Sequence, residues 1–389
     1  MATDVVVIGG GIVGASCAYY LSKEGIKVHL LEKGPMGCGA SKAGMMHIVS
    51  WEEPEIHLKL AKASKKLYQE LNLELSSPIE FRQTGSIVII EKLEQVETFK
   101  ATFDRLRSWG LNCKFLTPRE LIEMEPNITP DIAGGVFFGD DAQVNPLYTT
   151  LALASDARKM GAIIDTFNEV TGFEFNNEDH SISAVLTKRD RIPTSAVIIA
   201  SGSWSHAVGN LAGLNIPVEP RKGVLAVTVP VPEGIINSQI ILTAGYMESV
   251  KSGSNSSLSV AANIQRAVNG NLVLGTTRQM VGFDRKVDPY VMANVLKRCL
   301  RFFPAIAEIS VIRTWAGLRP YTSDLLPIIS PVESIEGVYV ATGHEGIGIT
   351  EGPITGKLIT QMITGKDLEF PLDEVSLKRF EKNNNYGGL

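Results

Sequence analysis

The stretch VVVIGGGIVGASCAYYLSKEGIKVHLLEK, Val5 to Lys33, constrains this chain more than any other. Val5, Val6, Val7 and Ile8 form a run of apolar β-formers that predicts a buried strand. Gly9, Gly11 and Gly14 follow at G-x-G-x-x-G spacing, and the residues up to Gly25 read as a helix. Lys27 to Leu31 reads as a second strand, ending on the acidic Glu32. Gly9 allows the tight turn, Gly11 lets backbone approach a pyrophosphate, and Gly14 lets the helix sit close on the strand. The helix start offers unpaired N–H groups and positive partial charge to that anion, worth roughly 0.3–1 kcal/mol. Glu32 can accept hydrogen bonds from ribose hydroxyls. The bland alternative is a glycine-rich βα turn that binds nothing. Strand, helix and acidic strand end together favour a dinucleotide site, with NAD and FAD both open.

A chain of 389 residues has room for about two domains. Its net charge of −5 gives no basic field to collect nucleic acid or an anionic membrane. Cys17, Cys38, Cys113 and Cys299 are far apart, with no C-x-x-C pair, and the histidines form no H-E-x-x-H pattern. No metal site is expected, and scattered thiols read as those of a cytoplasmic protein. The apolar N-terminus has no basic leader and is broken by consecutive glycines, so it is not read as a signal peptide. No apolar run reaches about 18 residues, so no spanning helix is expected.

Gly34 to Gly44 is a loop of small residues, suited to lying against a flat cofactor. Glu55 to Leu71 reads as a helix with Leu60, Ala63, Leu67 and Leu71 on one face and lysines on its solvated side. FRQTGSIVIIEK reads as a strand pair around Gly85, followed by a charged helix to about Trp109. Thr117, Pro118 and Glu120 make a capping box, and Asn145-Pro146 starts a helix running to about Met160. AIIDTFNEVTGFEF, SISAVLTKR and TSAVIIASGSWS read as three strands. Val218 to Arg313 is strand-rich; Ser249–Ser259 reads as a mobile loop, and a helix follows from Asp288 to Phe303. Pro353 is expected to open the last helix and Gly365 to end it, before a frayed NNNYGGL tail.

The strand Ala196–Ala200 ends in Ser201 and Gly202, a second small-residue strand end about 190 residues beyond the first. A sheet closing on one ligand from two such ends favours FAD over NAD. With these pieces placed, the chain resembles the D-amino-acid-oxidase superfamily of FAD enzymes. It is most similar to the branch holding glycine oxidase, the sarcosine oxidase β subunit, the flavin subunits of hydrogen cyanide synthase and opine oxidase, and D-proline or hydroxyproline dehydrogenases. The resemblance rests on VVVIGGGIVG…LLEK, GASKAGMM, RQTGS, Asn145-Pro146, VIIASGSWS, WAGLRPYTSDLLPII and GHEGIGITEGPITG.

That resemblance implies an α/β fold, with a Rossmann-type, glutathione-reductase-like FAD domain from residues 1–79, 143–217 and 311–389. An α+β substrate domain with a mainly antiparallel sheet would take 80–142 and 218–310. Gly9, Gly11 and Gly14, with Ile12 and Val13 at the helix start, would hold the pyrophosphate, and Glu32 and Lys33 the adenosine ribose. Ser41, Lys42, Ala43, Gly44, Met45 and Met46 would run along the pyrophosphate and flavin ring. The Val170 backbone would meet the adenine, with Ala200, Ser201 and Gly202 closing that side. Gly343, His344, Glu345, Gly346, Ile347, Gly348, Ile349 and Thr350 would lie beside the flavin's pyrimidine edge.

The implied chemistry is oxidation of an amino or imino acid at its C–N bond by hydride transfer from Cα to FAD. The resemblance puts the family's substrate arginine at Arg319 in GLRP, whose guanidinium can fork onto a carboxylate. A surface arginine is the bland alternative, but Trp-Ala-Gly-Leu-Arg-Pro is not a surface composition. His47, Tyr246, His344 and Glu345 are base candidates by residue type, and His47 could equally be a packed core histidine. No cysteine adjoins the GLRPYTSD segment where some relatives tether flavin, so FAD is expected to be non-covalent. A small amino or imino acid is the expected partner, with an oligomer and an electron acceptor or partner subunits. Two other readings stay open: the flavin subunit of a hetero-oligomeric dehydrogenase complex, and an NAD-dependent dehydrogenase.

Overall fold

The computed structural model describes residues 3–51, 54–246 and 258–381. The tail NNNYGGL and nearly all of the Ser249–Ser259 loop lie outside the described residues.

Val5–Ile8 pairs in parallel with Val28–Glu32 on one side and Ala196–Ile199 on the other. Ile163–Thr166 extends this sheet at one edge, and Val338–Thr342 and Ile328–Pro331 complete its six strands at the other. Only the Ile328–Pro331 pairing is antiparallel. Side chains alternate across the first strand. Val5 and Val7 face a core shared with the helices Ile12–Lys23, Pro146–Lys159 and Gly348–Thr364. Val6 and Ile8 face Val170, Ile182, Val185 and Ile192 of a three-stranded antiparallel sheet. Burial on both faces explains the unbroken apolar run.

The second layer is an eight-stranded sheet, with Val311–Tyr321 and Cys113–Leu116 at its edges. It is antiparallel except where Ile240–Thr243 runs parallel to Ser86–Ile90. Helix Pro289–Phe302 covers it, burying Val295, Cys299 and Phe302, and the Asp288 side chain caps the helix by accepting from Tyr290 N at 2.8 Å. The Thr117–Glu120 capping box and the Asn145 cap also form.

Four sequence expectations change. Around Gly85 only Ser86–Ile90 is a strand; Gly85 has φ +68°, which breaks the pairing and leaves Arg82 an isolated bridge to Gln143. AIIDTFNEVTGFEF is two strands, Ile163–Thr166 and Val170–Phe175, separated where Phe167 turns to φ +56°. The last helix begins at Gly348, with Pro353 inside it. Proline has no N–H to give the carbonyl four residues back. Here the Tyr68 hydroxyl donates to that Ile349 carbonyl at 2.5 Å instead, so the helix can run through the proline.

The fourth change concerns the expected boundary at residue 311. Val311–Tyr321 pairs along its length with Glu219–Pro230 and so belongs to the eight-stranded sheet. It also touches the other layer: Trp315 Nε1 donates to Ala43 O at 3.2 Å, and Ser203 Oγ to Leu318 O at 2.9 Å. Pairing is decided by the partner strand, which local apolar pattern does not reveal.

Candidate active site

A cavity of about 910 Å³ runs along the carboxyl ends of Val5–Ile8 and Ala196–Ile199 and on to the eight-stranded sheet. Its first wall is the glycine turn. Gly9 has φ +115°, and a side chain at Gly14 would run into the Gly9 carbonyl, so helix and turn meet only without one. Gly11 is the N-cap of the helix, and Ser41 Oγ accepts from Ile12 N at 2.9 Å. Glu32 shapes the same turn: one carboxylate oxygen accepts from Gly10 N and the other from Gly34 N, each at 2.8 Å. A carboxylate has about four acceptor positions, so capacity for ribose hydroxyls remains.

Of the expected cofactor residues, Gly9, Gly11, Ile12, Val13, Glu32, Lys33, Ser41 to Met45, Val170, Ala200 to Gly202 and His344 to Ile349 line this cavity. Gly14, Met46, Gly343 and Thr350 stand behind its wall. Gly14 packs on the Gly9 carbonyl. Met46 is buried with its N–H on Gln265 Oε1 at 2.7 Å, Gly343 takes a φ +79° turn, and Thr350 Oγ1 accepts from Val49 N at 3.0 Å. Their contribution is to shape the wall. Asn168, Trp204 and Arg285 also line the cavity and escaped the sequence reading. Asn168 carries a readable signal, an amide beside the expected adenine contact, and its buried Oδ1 has no partner among the described residues.

Arg319 stands at the far end of the cavity, largely buried. Nη1 donates to Thr277 O at 3.0 Å and Nη2 to Thr276 Oγ1 at 2.9 Å, while Nε lies 3.9 Å from Glu345 Oε1. A guanidinium carries five N–H groups, so each Nη keeps one for a ligand. Gly223 packs directly beneath this guanidinium, where a side chain could not fit.

The base candidates separate by their surroundings. Glu345 is buried with Arg278 Nε at 3.4 Å, Arg221 Nη1 at 3.5 Å and Arg319 at 3.9 Å from the same oxygen. Burial raises its proton affinity, but the guanidiniums of Arg278, Arg319 and Arg221 outweigh that and hold the carboxyl below its ordinary range. It is an ionised counterion, poorly suited to taking a proton. His344 donates through Nε2 to Thr355 Oγ1 at 2.9 Å, since that hydroxyl gives its own proton to Glu351 O. Burial first, then the charge of His57, lowers His344 to about 3. Tyr246 lines the cavity with the Arg278 guanidinium 4.9 Å from its ring centre.

His47 also lines the cavity, held from behind by the buried Asp141. Asp141 accepts from Ser50 N at 2.8 Å, Ser86 Oγ at 2.6 Å and Trp51 Nε1 at 3.0 Å, as well as from Ser50 Oγ. So many donors fix it as a carboxylate, which makes His47 Nε2, at 2.6 Å, a donor too. Nδ1 has no partner among the described residues.

The pH dependence of His344 can be tested. Its native proton affinity is depressed from an ordinary 6.5 to about 3, so the unfolded chain binds more protons between those values. Stability should therefore fall as pH drops through that window, and His344→Asn should flatten the fall. Thermal denaturation of both proteins from pH 8 to about 4 checks this.

The Gly9–Gly14 turn and the first turn of the helix behind it suit a diphosphate, and the Asn168 oxygen can accept from a nucleoside hydroxyl or amine; the long cavity continues to an arginine with free N–H groups. Such a site between a Rossmann-type layer and a mainly antiparallel sheet defines a flavin-dependent oxidoreductase. The chain belongs to the FAD dependent oxidoreductase family (DAO), which it matches over residues 4–362. Glycine oxidase from Geobacillus kaustophilus is 30% identical over 385 residues, covering 97% of each chain. Hydrogen cyanide synthase subunit HcnC from Pseudomonas protegens is 28% identical over 420 residues, covering 97% of this chain and 96% of that one. L-proline dehydrogenase from P. horikoshii superposes with a TM-score of 0.89 at 27% identity, over 98% of both chains. FAD is the cofactor of this chain.

Proposed function

We propose that this chain oxidises the C–N bond of a small amino or cyclic imino acid, of proline, hydroxyproline, sarcosine or glycine type, to the imine. Bound FAD supplies the hydride acceptor. Arg319 carries the reading: a guanidinium fixed on three sides, with an N–H left on each Nη, suits a bidentate carboxylate. Glycine oxidase and L-proline dehydrogenase among the relatives support the substrate class. His47 is the proton acceptor we favour for the substrate ammonium, because Asp141 turns its Nε2 away and leaves Nδ1 free. Cys299 is buried in the helix Pro289–Phe302 and Cys38 lies beside Glu32, which supports a non-covalent flavin.

The test is anaerobic bleaching of the flavin by glycine, sarcosine, D-alanine, D-proline, cis-4-hydroxy-D-proline and L-proline. At least one should bleach it stoichiometrically; no bleaching by any of them would remove this substrate class. A second reading, a flavin subunit passing electrons to a partner chain, is favoured by the HcnC relative, itself named as a subunit. Co-purification of a second chain from the native source would support it. Among the described residues no helix is long and apolar enough to cross a membrane. The four unpaired cysteines support a cytoplasmic location.

A further inference from the structure

The loop 279–288, between the strand Asn271–Arg278 and the helix Pro289–Phe302, leaves the eight-stranded sheet and reaches the glycine-turn end of the cavity. Buried Lys222 moors it, its Nζ donating to Asp284 Oδ2 at 3.1 Å and to Lys286 O at 3.3 Å. At its tip Phe283 packs on Trp204, ring centres 5.3 Å apart, and Trp204 in turn carries Lys33 Nζ 4.0 Å from its ring centre. This places Arg285 on the cavity wall, close enough to Lys33 to act on it electrostatically.

Three exposed cations line this cavity: Lys33 and Lys42 from one layer and Arg285 from the other. The carboxylates of Glu169 and Glu32 act on Lys33, whereas among the described residues neither Lys42 nor Arg285 is held in a salt bridge. A diphosphate bound in the cavity would give Lys42 and Arg285 the charged partner that the protein does not. We propose that loop 279–288 is part of the cofactor site, and that Arg285 pairs with the pyrophosphate of FAD across the cavity from the Gly9–Gly14 turn. This loop falls within 218–310, the span expected for the substrate domain. Here it clamps the cofactor from the opposite side, with Phe283 on Trp204 setting its position. The inference rests on FAD occupying this cavity.

The experiment measures FAD dissociation from the full-length holoprotein by recovery of flavin fluorescence on dilution, at low and high salt. Arg285→Gln should weaken binding about tenfold at low salt, as expected for one charge-assisted phosphate contact. Its binding should also depend less steeply on salt than the wild type's. Arg285→Lys, which keeps the charge, should recover most of the affinity. Phe283→Ala should weaken binding in the same direction by freeing the loop. Arg285→Gln binding within twofold of wild type, with an unchanged salt dependence, would overturn the clamp while leaving the cofactor intact. A wild-type protein that holds no FAD would instead overturn the cofactor assignment itself.

Discussion

Arg319→Ala is expected to abolish bleaching of the flavin by the preferred substrate while FAD stays bound. Two charge-assisted hydrogen bonds to a carboxylate contribute about 1.5–3 kcal/mol each, so the apparent second-order rate of reduction should fall by roughly a hundredfold to ten-thousandfold. The residue stands at the far end of the cavity from the glycine turn that would hold the pyrophosphate, which is why FAD should stay bound. Arg319→Lys keeps the charge but loses the planar fork, and should recover only part of the loss. Stopped-flow reduction under anaerobic conditions reads both variants. Bleaching by Arg319→Ala at the wild-type rate would leave the carboxylate without its proposed anchor.

Glu345→Gln should have the largest effect on stability. The carboxylate faces three guanidiniums in a buried setting, and removing its charge leaves them repelling one another with less compensation. Breaking a buried ion pair from one side costs about 3–5 kcal/mol, which in a chain of this size lowers the melting temperature by about 4–6 °C. The pH sign follows from the depressed affinity of this carboxyl. Its stabilisation is complete above the unfolded value of about 4.5 and is lost as pH falls through the lower native value. The gap between wild type and variant should therefore be widest near neutrality and close in acid. Calorimetry at pH 7 and at successively lower pH below 4 follows the gap as it closes, and a variant as stable as wild type at pH 7 would mean the arginines are balanced elsewhere.

Local signals were legible where one segment contains its own reason. The Val5–Lys33 unit needs only its glycines, its apolar run and Glu32, and the Thr117–Glu120 and Asn145 caps are completed within a few residues. What was not legible depends on distant partners. Nothing near Pro353 announces that Tyr68 will supply the missing donor. Nothing near His47 points to Asp141, nor near Glu345 to Arg221 and Arg278. No motif marks Arg285, and its place on the cavity comes from Lys222 and Trp204. The arginine in GLRP is marked by its motif, while the pairing of its strand with Glu219–Pro230 is not.

Val311–Tyr321 is hydrogen-bonded along one layer and pinned to the other through Trp315 and Leu318. The spacing between Arg319 and the Ala43 loop is thereby set by a single stretch of extended backbone, as by a ruler with both ends fixed. Rocking one half of the molecule against the other would tear those bonds before it altered that spacing. Larger or smaller substrates must then be accommodated by trading side chains around the span, because its length is already committed.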